Sequence, residues 1–401
     1  MKLGILKETK IPPDRRVPFS PEQLSVLQER FPDLEIVVQE SGDRCFTDDE
    51  YRDAGIRIVR DQNPADILMG VKEVEISTLV PSTTYLFFSH TAKEQPYNRN
   101  LLREIVQRRI TLIDYEYLTD KDNIRLVAFG RWAGIVGAYN GLKAYGERYR
   151  LYRLEPAHTC FDLQGMKKEL EKVKLPAMKI LITGGGRVAG GAMETLGPLK
   201  LREVSPEEFL DPSCEGSVVC RIDPWDYVRR KDGNGFDLRH FFDHPEMYES
   251  TFKPYTRVTD LYIACHYWDP KSPVFMTGSD MREPGFHMKV IADVSCDING
   301  PIPSTIRASS INSPVYGYDP LTEQEIPPFE LRGITVMAVD NLPGELPRDA
   351  SVDFGSQLME KVIPALIEDD EDGIIERATI VKDGKLTERF AYLEEYLRSD
   401  E

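Results

Sequence analysis

Three short apolar runs in the first third of this 401-residue chain each stop abruptly at a polar or charged side chain. Residues 65–70 run into Val71-Lys72, residues 85–88 into Ser89-His90, and residues 110–113 into Asp114-Tyr115-Glu116. Further apolar runs at 3–6, 35–38 and 56–59 alternate with segments of helical period at 21–29 and 98–108. Strand-length runs alternating with amphipathic helices build βα units around a mainly parallel sheet. In such a sheet ligands bind outside the carboxyl ends of the strands, so the residues that end these runs are the first candidates for chemistry. Ser20-Pro21-Glu22-Gln23 marks one helix start, with serine as N-cap, proline at the first helical position and Gln23 closing a capping box.

A second α/β unit opens at residues 179–183 (KILIT), which lead into Gly184-Gly185-Gly186-Arg187-Val188-Ala189. Gly184 and Gly186, with the small Ala189 three positions on, form a dinucleotide fingerprint in a strand–turn–helix setting. The first glycine makes the tight turn, the second admits a pyrophosphate to the helix N-terminus, and the small third residue lets helix and strand pack. Arg187 and Val188 lie inside this candidate cofactor site. The acid expected about twenty residues later is not cleanly present: the next strand is predicted near 200–204, and Ser205 follows it where an Asp or Glu is often found. Serine does not repel a 2′-phosphate, and Arg187 or Arg202 could pair with one, so NAD and NADP both stay open. Upstream, Gly130, Gly134, Gly137 and Gly141 place a smooth stripe on one helix face. Interior glycines cost a helix about 1 kcal/mol each, so the stripe reads as tight helix packing between domains. Later buried runs fall at 261–264 and 290–294. Past Asn341-Leu342-Pro343 the chain turns helical (351–367) and acidic (368–371), and is expected to return to the first domain.

Composition bounds the partners. A formal net charge of −17 argues against a broad nucleic-acid footprint. No apolar run approaches the roughly 18 residues of a membrane span, and the amino terminus lacks the apolar stretch of a signal peptide. The six cysteines form no C-x-x-C pair and read as reduced, structural thiols of a cytoplasmic protein. Cys214 and Cys220 have no histidine at metal-ligand spacing, so no metal is expected. His240, His244 and His266 read as surface or packing residues, with His266 and Tyr267 bordering the cofactor.

Lys72 and His90 end neighbouring runs, and Arg16 and Lys93 are expected nearby. Crowded cations lower the pKa of a lysine amine and make it a usable base near neutrality. The same cations suit a substrate rich in carboxylates.

The chain resembles the lysine–2-oxoglutarate reductase domain of the bifunctional lysine-degrading enzyme. More distantly, it is similar to lysine-forming saccharopine dehydrogenase. Both sit within the alanine dehydrogenase and transhydrogenase α-subunit superfamily. The resemblance runs over nearly the whole chain. It is carried by ETK and RRVPFSP within 8–21, GVKEV at 70–74, FFSHTAKEQ at 87–95, LIDYE at 112–116, VAFGRWAG at 127–134, DVSCDINGPI at 293–302 and DNLPGELPRDA at 340–350. It implies an α/β enzyme of two Rossmann-like domains with mainly parallel sheets and an interdomain cleft. Residues 1–134 with 343–401 would form the substrate and catalytic domain, and 135–342 the NAD(P)-binding domain. The implied reaction interconverts lysine, 2-oxoglutarate and NAD(P)H with saccharopine and NAD(P)+ by imine formation and hydride transfer. On this resemblance Lys72 and His90 are the acid/base residues, Arg16 and Gln95 bind substrate, and Phe129 lines it. Tyr267 and Asp293-Val294-Ser295 lie beside the cofactor. Its partners are small molecules only, with neither nucleic acid nor membrane. Relatives can carry a cysteine where Val188 stands, so Cys265 lacks that disulfide partner. The bifunctional enzyme adds a saccharopine-oxidising domain that 401 residues do not accommodate, which leaves the direction of flux open. Two other readings are an alanine-dehydrogenase-like reductive aminase of a small keto acid and a non-catalytic nucleotide-binding regulatory module.

Overall fold

The computed structural model describes residues 1–60 and 65–399. They form two compact units, Met1–Phe129 with Pro347–Glu401, and Gly130–Leu346. The joints lie a few residues from positions 134 and 343 for a physical reason. Gly130–Tyr149 is one unbroken helix, and the turn Leu342–Glu345 is tied to it where Asn140 Nδ2 donates to Glu345 Oε1 at 2.8 Å.

In the first unit the chain lays down β1 (Lys2–Ile5), α1 (Pro21–Arg30), β2 (Glu35–Gln39), β3 (Arg57–Val59), β4 (Ile67–Met69), β5 (Thr84–Phe87), α2 (Arg99–Gln107) and β6 (Thr111–Asp114). The Ser20–Gln23 capping box that starts α1 is present. Leu101, Leu102 and Ile105 of α2 join Leu68, Tyr85 and Leu112 of the sheet in one core cluster. The six strands pair in parallel, in the order β3-β2-β1-β4-β5-β6. This is a doubly wound sheet whose direction of growth reverses between β1 and β4. Ligands in such sheets bind at the carboxyl ends beside that reversal. Ile5, Met69, Leu86 and Ile113 pair across in one row. The residues just beyond that row therefore emerge together: Glu8, Lys72, His90 and Glu116.

The second unit begins with α3 (Gly130–Tyr149), followed by β7 (Lys179–Thr183), α4 (Arg187–Leu196), β8 (Arg202–Glu203), α5 (Pro206–Leu210) and β9 (Val218–Ile222). A two-stranded ribbon, β10 (Val228–Arg230) and β11 (Tyr248–Ser250), precedes β12 (Leu261–Ala264), β13 (Val290–Asp293), β14 (Val315–Asp319), β15 (Gln324–Ile326) and β16 (Ile334–Met337). Its sheet order is β15-β14-β16-β13-β12-β7-β9-β8, with β14 and β15 antiparallel. The chain then returns to the first unit through α6 (Pro347–Gln357), β17 (Thr379–Lys382) and β18 (Lys385–Leu386). There β17 pairs antiparallel with β6. Among the described residues no helix is long and apolar enough to cross a membrane.

The glycine stripe of α3 packs inside the second unit rather than between the two. A methyl group on Gly134 would sit 1.8 Å from the Val188 carbonyl oxygen of α4, and one on Gly191 of α4 would sit 2.0 Å from the Arg131 carbonyl oxygen. The two helix backbones touch, and Thr195 Oγ1 donates to the Ile135 carbonyl across the contact at 2.9 Å. Overpacking a rigid contact costs about 1–3 kcal/mol or more. Gly134→Ala and Gly191→Ala are expected to lower stability by at least that much in urea denaturation. Gly190→Ala, whose added methyl meets nothing within 4 Å, is expected to gain about 0.5–1 kcal/mol from helix propensity. Equal effects at 134 and 190 would refute the close crossing.

Candidate active site

Beyond β1 and β4 the parallel ladder runs out, and the next amides need acceptors. Glu8 supplies them: Val71 N–H donates to Oε1 at 2.7 Å and Lys72 N–H to Oε2 at 2.9 Å. Burial pushes the Glu8 carboxyl up to about 7, against these two amides, which favour its ionised form. The clamp fixes the peptide that carries Lys72. Burial, then the Arg16 guanidinium, push the Lys72 ammonium below the ordinary lysine range, while Asp14 and Glu73 pull the other way. The second cation acting on Lys72 is Lys10. Lys93, expected in that place from sequence, instead forms an ion pair with Glu116 at 3.0 Å.

His90 follows β5 with left-handed backbone angles, φ 53° and ψ 10°, a conformation uncommon outside glycine. Buried Asp114 at the end of β6 holds the turn. Its Oδ2 accepts from the Ser89 amide at 3.0 Å and the Ser89 hydroxyl at 2.5 Å, and its Oδ1 accepts from the Glu116 amide at 2.8 Å. Ser89 Oγ and Thr91 Oγ1 lie 2.8 Å apart. The His90 ring stands with Nδ1 at 2.7 Å from Glu73 Oε1. A carboxylate only accepts, so Nδ1 carries the hydrogen and the neutral ring keeps Nε2 as its proton acceptor. Burial opposes ionisation of Glu73, but the His90 hydrogen bond, its own amide and the His90 and Lys10 charges outweigh it. The carboxyl is held down at about 2.

Arg16 is buried, and its Nε and Nη2 grip Asp14 at 2.9 and 2.6 Å. Burial alone would raise the Asp14 carboxyl, yet Arg16 brings it well below the usual carboxylate range. The guanidinium carbon of Arg16 lies 4.3 Å from the Phe129 ring centroid, and Phe129 stacks on Phe354 with centroids 4.3 Å apart. Glu116 is shared by Lys93 and Arg125. Gln95 Oε1 accepts from the Tyr97 hydroxyl. The first unit thus gathers Lys72, His90, Arg16 and Phe129 with three carboxylates that sequence reading passed over: Glu8, Asp14 and Glu73. Two of them stood in view beside quoted residues, Glu8 in ETK and Glu73 in GVKEV, but nothing in the sequence says which amide or ring a carboxylate meets. A cavity of about 1040 Å³ lies elsewhere in the unit, lined by Ile67, Thr84, Thr111 and Arg377 at the amino ends of the strands. None of the groups above reaches it.

In the second unit Gly184 has φ +104°, and a methyl there would strike the Cys265 carbonyl at 2.6 Å. Gly186 is the N-cap of α4, and nothing lies within 4 Å of the place its Cβ would take. Ala189 is fully buried. The turn fits a dinucleotide: it is forced to glycine at the bend and open where a pyrophosphate approaches the helix N-terminus. Arg187 opens α4 and is exposed, and Val188 carries the carbonyl against Gly134. Tyr267 is exposed beyond β12. Asp293 is buried and accepts from Ser295 Oγ at 2.6 Å, Thr305 Oγ1 at 2.7 Å and the Cys296 amide at 3.0 Å, while Val294 packs on Gly137. His266 is buried behind the turn, its Nδ1 2.9 Å from Thr183 Oγ1, and burial pushes the ring down to about 3. Ser205 is not brought to the turn. It follows the edge strand β8 and caps α5, accepting from the Glu208 amide at 3.2 Å.

Glu73 and Glu8 act on stability with opposite signs. Glu73, lowered from 4.5 to about 2, stabilises the fold above pH 4.5, and that contribution is lost as pH falls towards 2. Glu8, raised from 4.5 to about 7, contributes fully below pH 4.5, and that contribution is lost as pH rises towards 7. Each amounts to about 3 kcal/mol when complete. Urea midpoints from pH 3 to 8 should show Glu73→Gln flattening the acid limb and Glu8→Gln flattening the slope between pH 5 and 7. Unchanged slopes would contradict the assignment.

Residues 4–136 match the family model for the alanine dehydrogenase/PNT N-terminal domain. The chain is 29% identical to alpha-aminoadipic semialdehyde synthase of Arabidopsis thaliana, over 99% of this chain and 42% of that protein. To the mitochondrial enzyme of that name from Mus musculus it is 30% identical, over 97% and 47%. It thus spans under half the length of these relatives. A saccharopine dehydrogenase [NAD(+), L-lysine-forming] of Neurospora crassa is 26% identical over 81% of this chain and 82% of that protein. Among solved structures, an L-alanine dehydrogenase superposes with a TM-score of 0.66 at 18% identity, covering 99% of both chains. A transhydrogenase from Sinorhizobium meliloti gives 0.59 at 17%, covering 96% of this chain and 99% of that one. By sequence, then, the chain is similar to the alpha-aminoadipic semialdehyde synthases and lysine-forming saccharopine dehydrogenases, and its fold is that of the alanine dehydrogenase and transhydrogenase structures.

Proposed function

We propose that this protein is an NAD(P)-dependent oxidoreductase that interconverts lysine, 2-oxoglutarate and NAD(P)H with saccharopine and NAD(P)+. The observation that carries the reading is the pairing of a pKa-lowered Lys72 with a His90 whose Nδ1 is held by Glu73. The relatives named above support the choice of substrates. Six cysteines without a disulfide suit a reducing compartment such as the cytoplasm.

Coupling an amine to a keto acid requires several proton transfers. The lysine ε-ammonium must lose a proton before nitrogen attacks the keto carbon. The carbinolamine oxygen must then gain one to leave as water. Lys72, with its ammonium destabilised by burial and by Arg16, is suited to accept a proton. His90, with Nε2 as acceptor when neutral and donor when charged, is suited to pass one to oxygen. Nicotinamide supplies the hydride that reduces the imine carbon, and Gly184, Gly186 and the α4 N-terminus would hold its pyrophosphate. The positive charge of Arg16, Lys10 and Lys93 favours the carboxylates of both substrates, and Phe129 offers them an apolar wall. Gln95 adds an amide at the rim.

Oxidation of NADH or NADPH followed by absorbance tests the reading, with lysine plus 2-oxoglutarate set against pyruvate plus ammonia. Turnover is expected with the first pair only. Turnover with ammonia would move the chain to the alanine-dehydrogenase reading, and silence with both pairs would leave the regulatory module. Lys72→Met is expected to lower kcat by about 10²–10⁴ with dinucleotide affinity unchanged. Full activity in that variant would remove Lys72 from the mechanism.

A further inference from the structure

The helix after the glycine turn does not lead the chain to the strand beside β7. It leads to β8, which takes the sheet edge and pairs with β9, and β9 then inserts between β8 and β7. In dinucleotide-binding sheets the acid that reads the adenine ribose stands at the carboxyl end of the strand next to the glycine strand. Here that position belongs to β9, and the residue directly after it is Asp223.

We infer that Asp223, held by Arg221, reads the 2′ position of the adenine ribose and selects NAD(H) over NADP(H). The inference rests on the dinucleotide reading of the second unit given above.

The strand end and the turn are locked together, since Gly184 N–H donates to the Ile222 carbonyl at 2.9 Å. Asp223 is 8% exposed and faces the turn. A methyl on Gly185 would lie 2.4 Å from Asp223 Oδ1 and 2.9 Å from Arg221 Nη1. Arg221 Nη1 donates to Asp223 Oδ2 at 2.9 Å and to the Gly184 carbonyl at 3.4 Å. The pair therefore lines the turn on the side where the adenosine half of a dinucleotide lies. A carboxylate accepts hydrogen bonds from both hydroxyls of a ribose diol. A 2′-phosphate brings about 1.5–2 negative charges against the same carboxylate. Arg221 does not offset this, because its charge is already matched by Asp223. Of the two cations considered for a 2′-phosphate, Arg202 stands on the edge strand and pairs with Glu208, while Arg187 opens α4 at the turn itself.

The test is equilibrium binding of NADH and NADPH to the full chain without substrates, read from nucleotide fluorescence. The native protein is expected to bind NADH about 10- to 100-fold more tightly than NADPH, the scale of losing hydrogen bonds to a charged group. Asp223→Ser should weaken NADH and tighten NADPH until the preference reverses, because Arg221 is then released to meet the phosphate. Adding Arg221→Ala should abolish that gain. Ser205→Ala should leave the ratio alone. Asp223→Asn, which keeps the shape, and Arg221→Ala, which keeps the carboxylate, guard against misfolding of the serine variant. Asp223→Asn should lose discrimination and Arg221→Ala should retain it. Equal affinities in the native protein, or a ratio unmoved by both Asp223 variants, would overturn the selection while leaving turnover on lysine and 2-oxoglutarate intact. Failure of the native protein to bind either dinucleotide would overturn the reading of the whole unit with it.

Discussion

The first unit depends on carboxylates that accept from backbone amides where parallel strands end. At the carboxyl end of a parallel ladder the next N–H groups have no strand partner, and leaving them unpaired in a shielded site costs about 1–3 kcal/mol each. Glu8 takes two such amides beyond β4, and Asp114 takes those of Ser89 and Glu116 beyond β5 and β6. These bonds do more than satisfy the backbone. They fix the peptides before and at the two residues proposed for acid/base work, so Lys72 and His90 leave the sheet in set directions. His90 could not keep a left-handed backbone unaided, and the Ser89–Asp114–Thr91 network surrounds it on both sides.

Charge in this site is arranged by pairing rather than by excess. Arg16 is matched by Asp14, Lys93 and Arg125 by Glu116, and His90 and Lys10 by Glu73. For the buried Arg16–Asp14 pair desolvation offsets much of the attraction, so its value lies in geometry. The pairing with Asp14 holds the Arg16 guanidinium over the Phe129 ring and close enough to act on Lys72. The repulsion that lowers the Lys72 ammonium thus comes from a cation that cannot swing away. In a chain of net charge −17, such pairing lets Arg16 and Lys10 stand close enough to act on Lys72.

Much of this was legible from residue order. The runs ending at Lys72, His90 and Asp114 are strands β4, β5 and β6, and the parallel α/β class follows from their alternation with helices. Ser20 caps its helix as its spacing requires. Position along the chain carries such local facts because they depend on neighbours three or four residues away. Pairings across strands depend on register and on which strand inserts where, and residue order does not encode either directly. Lys93 illustrates the gap: it follows His90 closely in sequence, yet its side chain reaches Glu116 in the turn just beyond the next strand. The glycine stripe illustrates it too, since its smoothness announced a close helix contact without naming α4 as the partner.

The ribose acid shows why a spacing rule fails where the geometric rule behind it holds. A distance of about twenty residues describes one helix and one strand in a fold where the second strand lies beside the first. In this sheet the second strand moves to the edge and the third takes its place, so the count lands on Ser205, which caps a helix. The physical requirement is unchanged: a carboxylate at the end of whichever strand borders the glycine turn. Asp223 meets it because β9 hydrogen-bonds to β7 along its whole length, from Val218 opposite Lys179 to Ile222 opposite Thr183. Adjacency in the sheet, not separation in the chain, decides which side chain a bound nucleotide meets.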